Sequence, residues 1–139
     1  MADPDLDAVA AAWTARRSPF TVALGIGIDA LAPGVARLRM PVIPMLLNEE
    51  GGVHGGALAS LCDVAFYVAL LTVFGPDARI VTVDLAVNFL ASAAAEGDAV
   101  AEARAIKTGR TISYGDVTVR SGERVVAHAV LKYISLNPR

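Results

Sequence analysis

The sequence has 139 residues, of which 55% are apolar and 19% are charged. This length predicts one domain, residues 1–139, that needs no metal or disulfide to fold, and the composition argues against disorder. A formal net charge of −2 provides no strong positive field, so we expect no nucleic-acid partner. The single cysteine, Cys62, excludes an intrachain disulfide. A reducing, cytoplasmic location is compatible with that, and the acidic first residues do not resemble a secretory signal.

The first part of the chain is predicted to form a short helix followed by a hairpin. The helix should begin at Asp3-Pro4, with the aspartate as its cap, and end near Arg16. Residues 20–32 contain glycines among apolar residues, which indicates an irregular entry into a first strand. After the Pro33-Gly34 turn, residues 35–42 alternate between apolar and polar and predict the second strand.

A long apolar helix is predicted next, from Val53 or His54 to Phe74. It is apolar nearly all round, which is typical of a helix that the rest of the protein surrounds. A membrane span needs about 20 apolar residues with few or no charges. Because Asp63 interrupts this run, we expect a core helix and no membrane partner.

Four strands are predicted after this helix, at residues 79–90, 98–107, 111–120 and 124–136. The first of them should carry one apolar face, formed by Val81, Val83, Leu85, Val87 and Phe89. The second has alanines on one face, which suggests that the long helix packs closely over it. Antiparallel strands beside one dominant helix indicate an α+β architecture.

Asp63 is the first candidate for chemistry. An isolated carboxylate on an apolar helix costs several kcal/mol unless it is paired or hydrogen-bonded. Proteins keep such groups mostly where they are used, and a carboxylate withdrawn from water is a stronger general base. The alternative is a structural carboxylate with a fixed partner, or one at a subunit contact.

His54-Gly55-Gly56 is the second candidate, at the start of the same helix. The first turn of a helix has free N–H groups, and glycines allow a ligand to approach them closely. Such donors suit the negative charge that develops on a carbonyl oxygen when a nucleophile attacks the carbonyl carbon. The alternative is a flexible helix entry with a capping histidine.

If both candidates act in one site, their spacing predicts a homodimer. Gly55 and Asp63 are eight residues apart on one helix, or about 12 Å. An oxyanion donor and a general base must both lie within about 3 Å of one reacting group. Two antiparallel copies of the helix satisfy this requirement, so two sites should lie across a two-fold interface.

These residues resemble the motif of hotdog-fold thioesterases of the phenylacetic-acid-degradation (PaaI) type. The resemblance covers nearly the whole chain and rests on Asn48-x-x-Gly51-x-x-His54-Gly55-Gly56, on Asp63, on the strand from Thr82 to Leu90, and on the layout of residues 97–110. It implies a six-stranded antiparallel sheet wrapped around the long central helix, with a short N-terminal helix. It also implies assembly into a homodimer or a dimer of dimers.

The resemblance further implies roles for single residues in the hydrolysis of an acyl-CoA or aryl-CoA to the free acid and coenzyme A. Asp63 would act as general base on water, or as nucleophile, and Gly55 would hold the thioester oxygen through its N–H. Asn48 and His54 would orient the thioester or the water. Thr82 would occupy the position of a water-holding hydroxyl.

Basic residues near the junction of the second and third of these strands are candidates for contact with the coenzyme A phosphates. Lys107 and Arg110 are the main ones, with a solvated hairpin tip as the alternative, and Gly56 is expected to allow close approach of the substrate. Weaker candidates are Arg37, Arg39 and Arg139.

Two other functions remain open from the sequence: a non-catalytic hotdog protein that binds acyl-CoA, and a hotdog dehydratase acting on hydroxyacyl thioesters. No metal or redox cofactor is expected, since two histidines and one cysteine give no metal-site spacing. Cys62 has no paired histidine in its local pattern and is expected in the core.

Overall fold

The computed structural model describes residues 3–138. Three α-helices and six strands follow one another along this range, with a 3₁₀ turn at Pro44–Leu46 before the third helix. The helices are α1 (Leu6–Arg16), α2 (Pro19–Ala23) and α3 (Gly55–Phe74). The strands are β1 (Gly27–Ala32), β2 (Val35–Pro41), β3 (Ile80–Phe89), β4 (Asp98–Thr108), β5 (Ile112–Ser121) and β6 (Arg124–Ser135).

All six strands join one antiparallel sheet in the order β1-β2-β4-β5-β6-β3. Helix α3 packs against this sheet, with its closest association along β2 and β4. The predicted α+β architecture, a six-stranded sheet around a long helix with a short helix before it, is confirmed. This is the hotdog arrangement that the motif implied.

Small residues in the sheet make room for α3. Ala99, Ala101 and Ala103 on β4 are all buried, as their spacing predicted. On β5, a Cβ added to Gly115 would collide with the carbonyl oxygen of Arg104 and with the Phe66 ring. By length and composition α3 could cross a membrane, but 61% of that segment is buried inside the protein, as expected for a core helix.

The N-terminal region differs from its prediction in two details. Asp5, and not Asp3, caps α1, because its Oδ1 accepts the N–H groups of Asp7 at 2.9 Å and Ala8 at 3.3 Å. The helix therefore begins after the proline and not at it. The segment expected to be irregular begins with helix α2, which Ser18 caps by accepting the Thr21 N–H at 3.2 Å.

The apolar face predicted for β3 is not a core face. Val81, Val83 and Phe89 are 44%, 57% and 54% exposed, while Leu85 and Val87 are only partly buried. The register shifts between Thr82 and Asp84, which interrupts simple alternation. In addition, β3 is the last strand of the sheet, so one of its edges has no neighbour among residues 3–138.

Candidate functional site

Asp63 projects from the middle of α3 to the end of the sheet formed by β3 and β6. The Thr82 hydroxyl donates to Asp63 Oδ1 at 2.8 Å, and the Tyr133 hydroxyl donates to the same oxygen at 2.6 Å. Among residues 3–138, no side chain or N–H donates to the second oxygen, Oδ2. One carboxylate oxygen is therefore fixed by two donors, and the other remains open to accept a proton.

The pairing of β3 with β6 explains why the two donors meet. Thr82 and Tyr133 are cross-strand partners, so their side chains lie on the same face. Tyr133 is 3% exposed, and its ring meets Phe66 edge-on with centroids 5.3 Å apart. Burial, and then the charge and hydrogen bond of Asp63, raise the pKa of Tyr133 far above its ordinary value. The phenol therefore stays protonated and donates its hydrogen bond to the carboxylate.

Tyr133 was missed in the sequence. The sequence contains a weak indication of its role. The other inward residues of β6 are Ala127, Ala129 and Leu131, which have no polar group. A tyrosine in such a series brings one hydroxyl into the core, and a buried hydroxyl requires a partner. The partner could not be identified without the register of β3 against β6.

A cavity of about 690 Å³ opens beside the carboxylate. Asp63, Thr82 and Tyr133 all line it, so these three residues border a space large enough for a small-molecule ligand. The walls contributed by α1, by the later turns of α3 and by the start of β3 are largely apolar and include Trp13, Tyr67, Leu71, Ile80 and Val81. Arginines that the sequence did not single out also line it, namely Arg16, Arg17 and Arg79.

The N-terminus of α3 provides one free donor. His54 caps the helix, and its Nδ1 accepts the Gly56 N–H at 2.9 Å. The neutral imidazole therefore carries its proton on Nε2, which remains able to donate. Among residues 3–138, the Gly55 N–H has no acceptor. The N–H group that an oxyanion could use is therefore that of Gly55, because the N–H of Gly56 is already bonded to His54. That Gly56 allows close approach of the substrate stays a prediction.

Asn48 organises the loop before α3. Its Oδ1 accepts the N–H groups of Glu50 at 2.9 Å and Gly52 at 3.2 Å, which assigns the orientation of the amide. The NH₂ group remains available as a donor, since nothing in the described range accepts from it. Asn48, Gly55 and Phe89 line a second cavity of about 380 Å³.

The two groups of candidate residues lie in separate cavities of one chain. The cavity beside Asp63 is lined by neither Gly55 nor Asn48, and the cavity beside Gly55 is not lined by Asp63 or Thr82. The structure thus brings Asp63 together with Thr82, and Gly55 with Asn48. It does not bring the two pairs together within one chain.

The sequence and the structure of this chain are similar to those of a known protein family. The model of the thioesterase superfamily matches residues 50–128, which is more than half of the chain. The chain belongs to the thioesterase superfamily. A thioesterase family protein from Silicibacter pomeroyi is 31% identical, with a TM-score of 0.82 over 94% of this chain and 96% of that one. The PaaI protein of E. coli is 25% identical, with a TM-score of 0.82 over 93% and 92%.

Curated relatives agree with this family. A protein from Halobacterium salinarum, described as a candidate esterase, is 34% identical over 101 residues, which are 69% of this chain. The chain spans 66% of the length of that relative, and the same share of a second one from Deinococcus radiodurans. The resemblance to hotdog thioesterases is therefore confirmed at the level of family and fold.

The basic residues considered as contacts for the coenzyme A phosphates differ in whether they form ion pairs with carboxylates. Arg37 and Arg39 form ion pairs with carboxylates on the neighbouring strands, which weakens the case for either as a phosphate ligand. Lys107 and Arg110 are exposed, and within the described range neither takes part in an ion pair. Neither lines the cavity beside Asp63. Arg139 lies outside the described residues.

Cys62 neighbours Asp63 in sequence but is a buried thiol. Burial, and then the charge of Asp63, raise the pKa of Cys62 to about 12. Because thiolate is the reactive form, Cys62 should be almost inert at pH 8 and should react only after unfolding. Titration with a disulfide reagent should find less than about 0.1 reactive thiol per native chain and about one per chain in denaturant. Rapid reaction of the native chain would contradict this assignment.

Proposed function

We propose that this chain is an acyl-CoA or aryl-CoA thioesterase that releases a free acid and coenzyme A. The observation that carries the proposal is the hydrogen bonding of Asp63, whose Oδ1 accepts from two hydroxyls while its Oδ2 accepts from no group among residues 3–138. Asp63 also lines a cavity. A purely structural carboxylate would be expected to use both oxygens. A general base needs one fixed oxygen and one that can accept a proton from water.

The second half of the site is proposed to come from a second copy of the chain. The exposed edge of β3 is long and rich in β-branched residues, and such edges commonly pair with another strand. Pairing with the same strand of a second copy would be antiparallel about a two-fold axis. The result would be a continuous sheet with the two α3 helices side by side.

This pairing would complete the site. Near one end of β3, Thr82 bonds to Asp63, and at its other end Phe89 lies against Gly55, where an added Cβ would be 3.2 Å from Phe89 Cζ. Antiparallel pairing centred near Leu85 would therefore place the Gly55 end of one copy opposite the Asp63 end of the other. Two such sites would form in each dimer, and a dimer of dimers would contain four.

In the proposed reaction, Asp63 Oδ2 removes a proton from a water molecule as the water oxygen attacks the thioester carbonyl carbon. The Gly55 N–H from the second copy donates to the carbonyl oxygen as it becomes negative, with further donation available from Asn48 and His54. Collapse of the tetrahedral intermediate breaks the carbon–sulfur bond. The proton held by Asp63 passes to the departing thiolate, which gives free acid, coenzyme A and ionised Asp63.

We also propose Lys107 and Arg110 as contacts for the coenzyme A phosphates. The turn between β4 and β5 lies at the same end of the sheet as the Asp63 carboxylate, because Ser113 pairs with Tyr133. Both basic side chains are exposed there and free of ion pairs among residues 3–138. A cytoplasmic location, where acyl-CoA is present, accompanies this proposal.

The experiment that tests the proposal is a thiol-release assay with short, medium, long and aromatic acyl-CoAs. We expect at least one of these substrates to be hydrolysed with saturable kinetics and without added metal. Tight binding of acyl-CoA by calorimetry with no thiol released would favour a binding protein and contradict the proposal. Hydration of an enoyl thioester with no hydrolysis would instead favour a dehydratase.

A further inference from the structure

We infer that Tyr133 is a positioning residue, which acts on the reaction by fixing the Asp63 carboxylate in its productive orientation. The inference rests on the proposed function, since it concerns the same site, and it adds a residue that the sequence motif does not contain. Tyr133 lies on β6, 70 residues from Asp63 in the chain.

The hydrogen-bond geometry gives Tyr133 a specific task. Its hydroxyl is 2.6 Å from Asp63 Oδ1 and 3.0 Å from the main-chain oxygen of Asp63. The phenol has one proton, and the shorter contact to the charged oxygen is the stronger one. A donor in this position selects one rotamer of the aspartate, with Oδ1 turned to β6 and Oδ2 left for water.

Tyr133 is also the more rigid of the two donors. Thr82 is exposed and belongs to an edge strand with a register shift beside it. Tyr133 is 3% exposed, on a strand that has neighbours on both sides, and its ring packs edge-on against Phe66. Productive geometry depends on side chains that are themselves fixed by packing. The orientation of Asp63 should therefore depend on Tyr133 at least as strongly as on Thr82.

The test is Tyr133→Phe, which keeps the ring and its contact with Phe66 but removes the hydroxyl. We expect kcat to fall about 10- to 100-fold, the range for loss of one hydrogen bond to a charged group, with KM changed less than about twofold.

Tyr114→Phe is the matched control. It makes the same chemical change on β5 at a position adjacent to the inward-facing Gly115, so its side chain lies on the other face of the sheet. It should leave kcat and KM unchanged. Thermal melts of both variants show whether each remains folded.

A second measurement shows whether the Tyr133 hydroxyl acts on the rate through Asp63 or through a change elsewhere in the protein. In an Asp63→Asn background, Tyr133→Phe should cause no further fall in the residual rate, because the carboxylate that it positions is gone. Equal losses in both backgrounds would overturn the inference, as would a Tyr133→Phe enzyme with the parent kcat. A parent protein that hydrolyses no acyl-CoA would instead overturn the proposed function and, with it, this role for Tyr133.

Discussion

Asp63→Asn should lower kcat for acyl-CoA hydrolysis by about 10³-fold or more, within the range that a lost general base produces. Asparagine has nearly the same shape, and its remaining oxygen can still accept from Thr82 and Tyr133, which both donate to Asp63 Oδ1. Its NH₂ group replaces Oδ2 and cannot take a proton from water. The chemical step should therefore be lost while substrate binding and the fold remain. Stopped assays at saturating acyl-CoA, together with calorimetry of acyl-CoA binding, measure the two effects separately.

A matched substitution on β3 provides the control. Asp84 is two residues from Thr82, its side chain is 56% exposed, and it lies 4.0 Å from Lys132 in a surface ion pair. Asp84→Asn should change kcat by less than about twofold, since surface pairs contribute little. An Asp63→Asn protein that hydrolyses acyl-CoA at the parent rate would exclude Asp63 as base or nucleophile.

Gly55→Pro should lower kcat by about 10²- to 10³-fold, which is the usual cost of one lost oxyanion donor. Gly55 is the first residue of α3, where proline is tolerated because no N–H is needed there for the helix. His54 has φ −60° and ψ 133°, a conformation that suits a residue before proline. The substitution therefore removes the proposed donor with little cost to the helix.

Gly55→Ala measures how much of the loss comes from the added Cβ alone. Both substitutions introduce a Cβ, which would lie 3.2 Å from Phe89 Cζ. Phe89 is 54% exposed and can shift by the few tenths of an ångström required. Because alanine keeps the N–H, Gly55→Ala should retain most of the activity. Equal losses in the two variants, measured as kcat at saturating acyl-CoA, would assign the effect to crowding and not to the donor.

The parts of the fold that the sequence predicted well depend on local patterns. The apolar run between His54 and Phe74 predicted α3, and the alanines of β4 predicted the helix that covers them. The family resemblance named Asp63 and Thr82 separately, with Thr82 as a water-holding hydroxyl, and did not predict the hydrogen bond between them that the structure shows. The helix and the small face of β4 follow from periodicity and spacing, which one chain shows directly.

Other features depend on contacts between distant segments. Tyr133 meets Asp63 only through the register of β6 against β3, which a single sequence does not specify. Val81 and Val83 are exposed because the register shifts between Thr82 and Asp84, which puts Val81 on the face opposite to Leu85 and Val87, and the apolar alternation in the sequence does not show this shift. The predicted cap of α1 was Asp3, whereas the observed cap is Asp5. The sequence has both aspartates close to the helix start, and its pattern does not show which of them is the cap.

The central claim is that each site combines Gly55 of one copy with Asp63 of another. Asp63→Asn and Gly55→Pro chains should each form homodimers whose kcat is lower than that of the parent by about 10²-fold or more. A heterodimer of the two, isolated after co-expression with different affinity tags, would have one site with both residues intact and one with both replaced. We predict that its acyl-CoA hydrolysis recovers to about half of the parent rate per dimer. A heterodimer no more active than either homodimer would contradict the shared site.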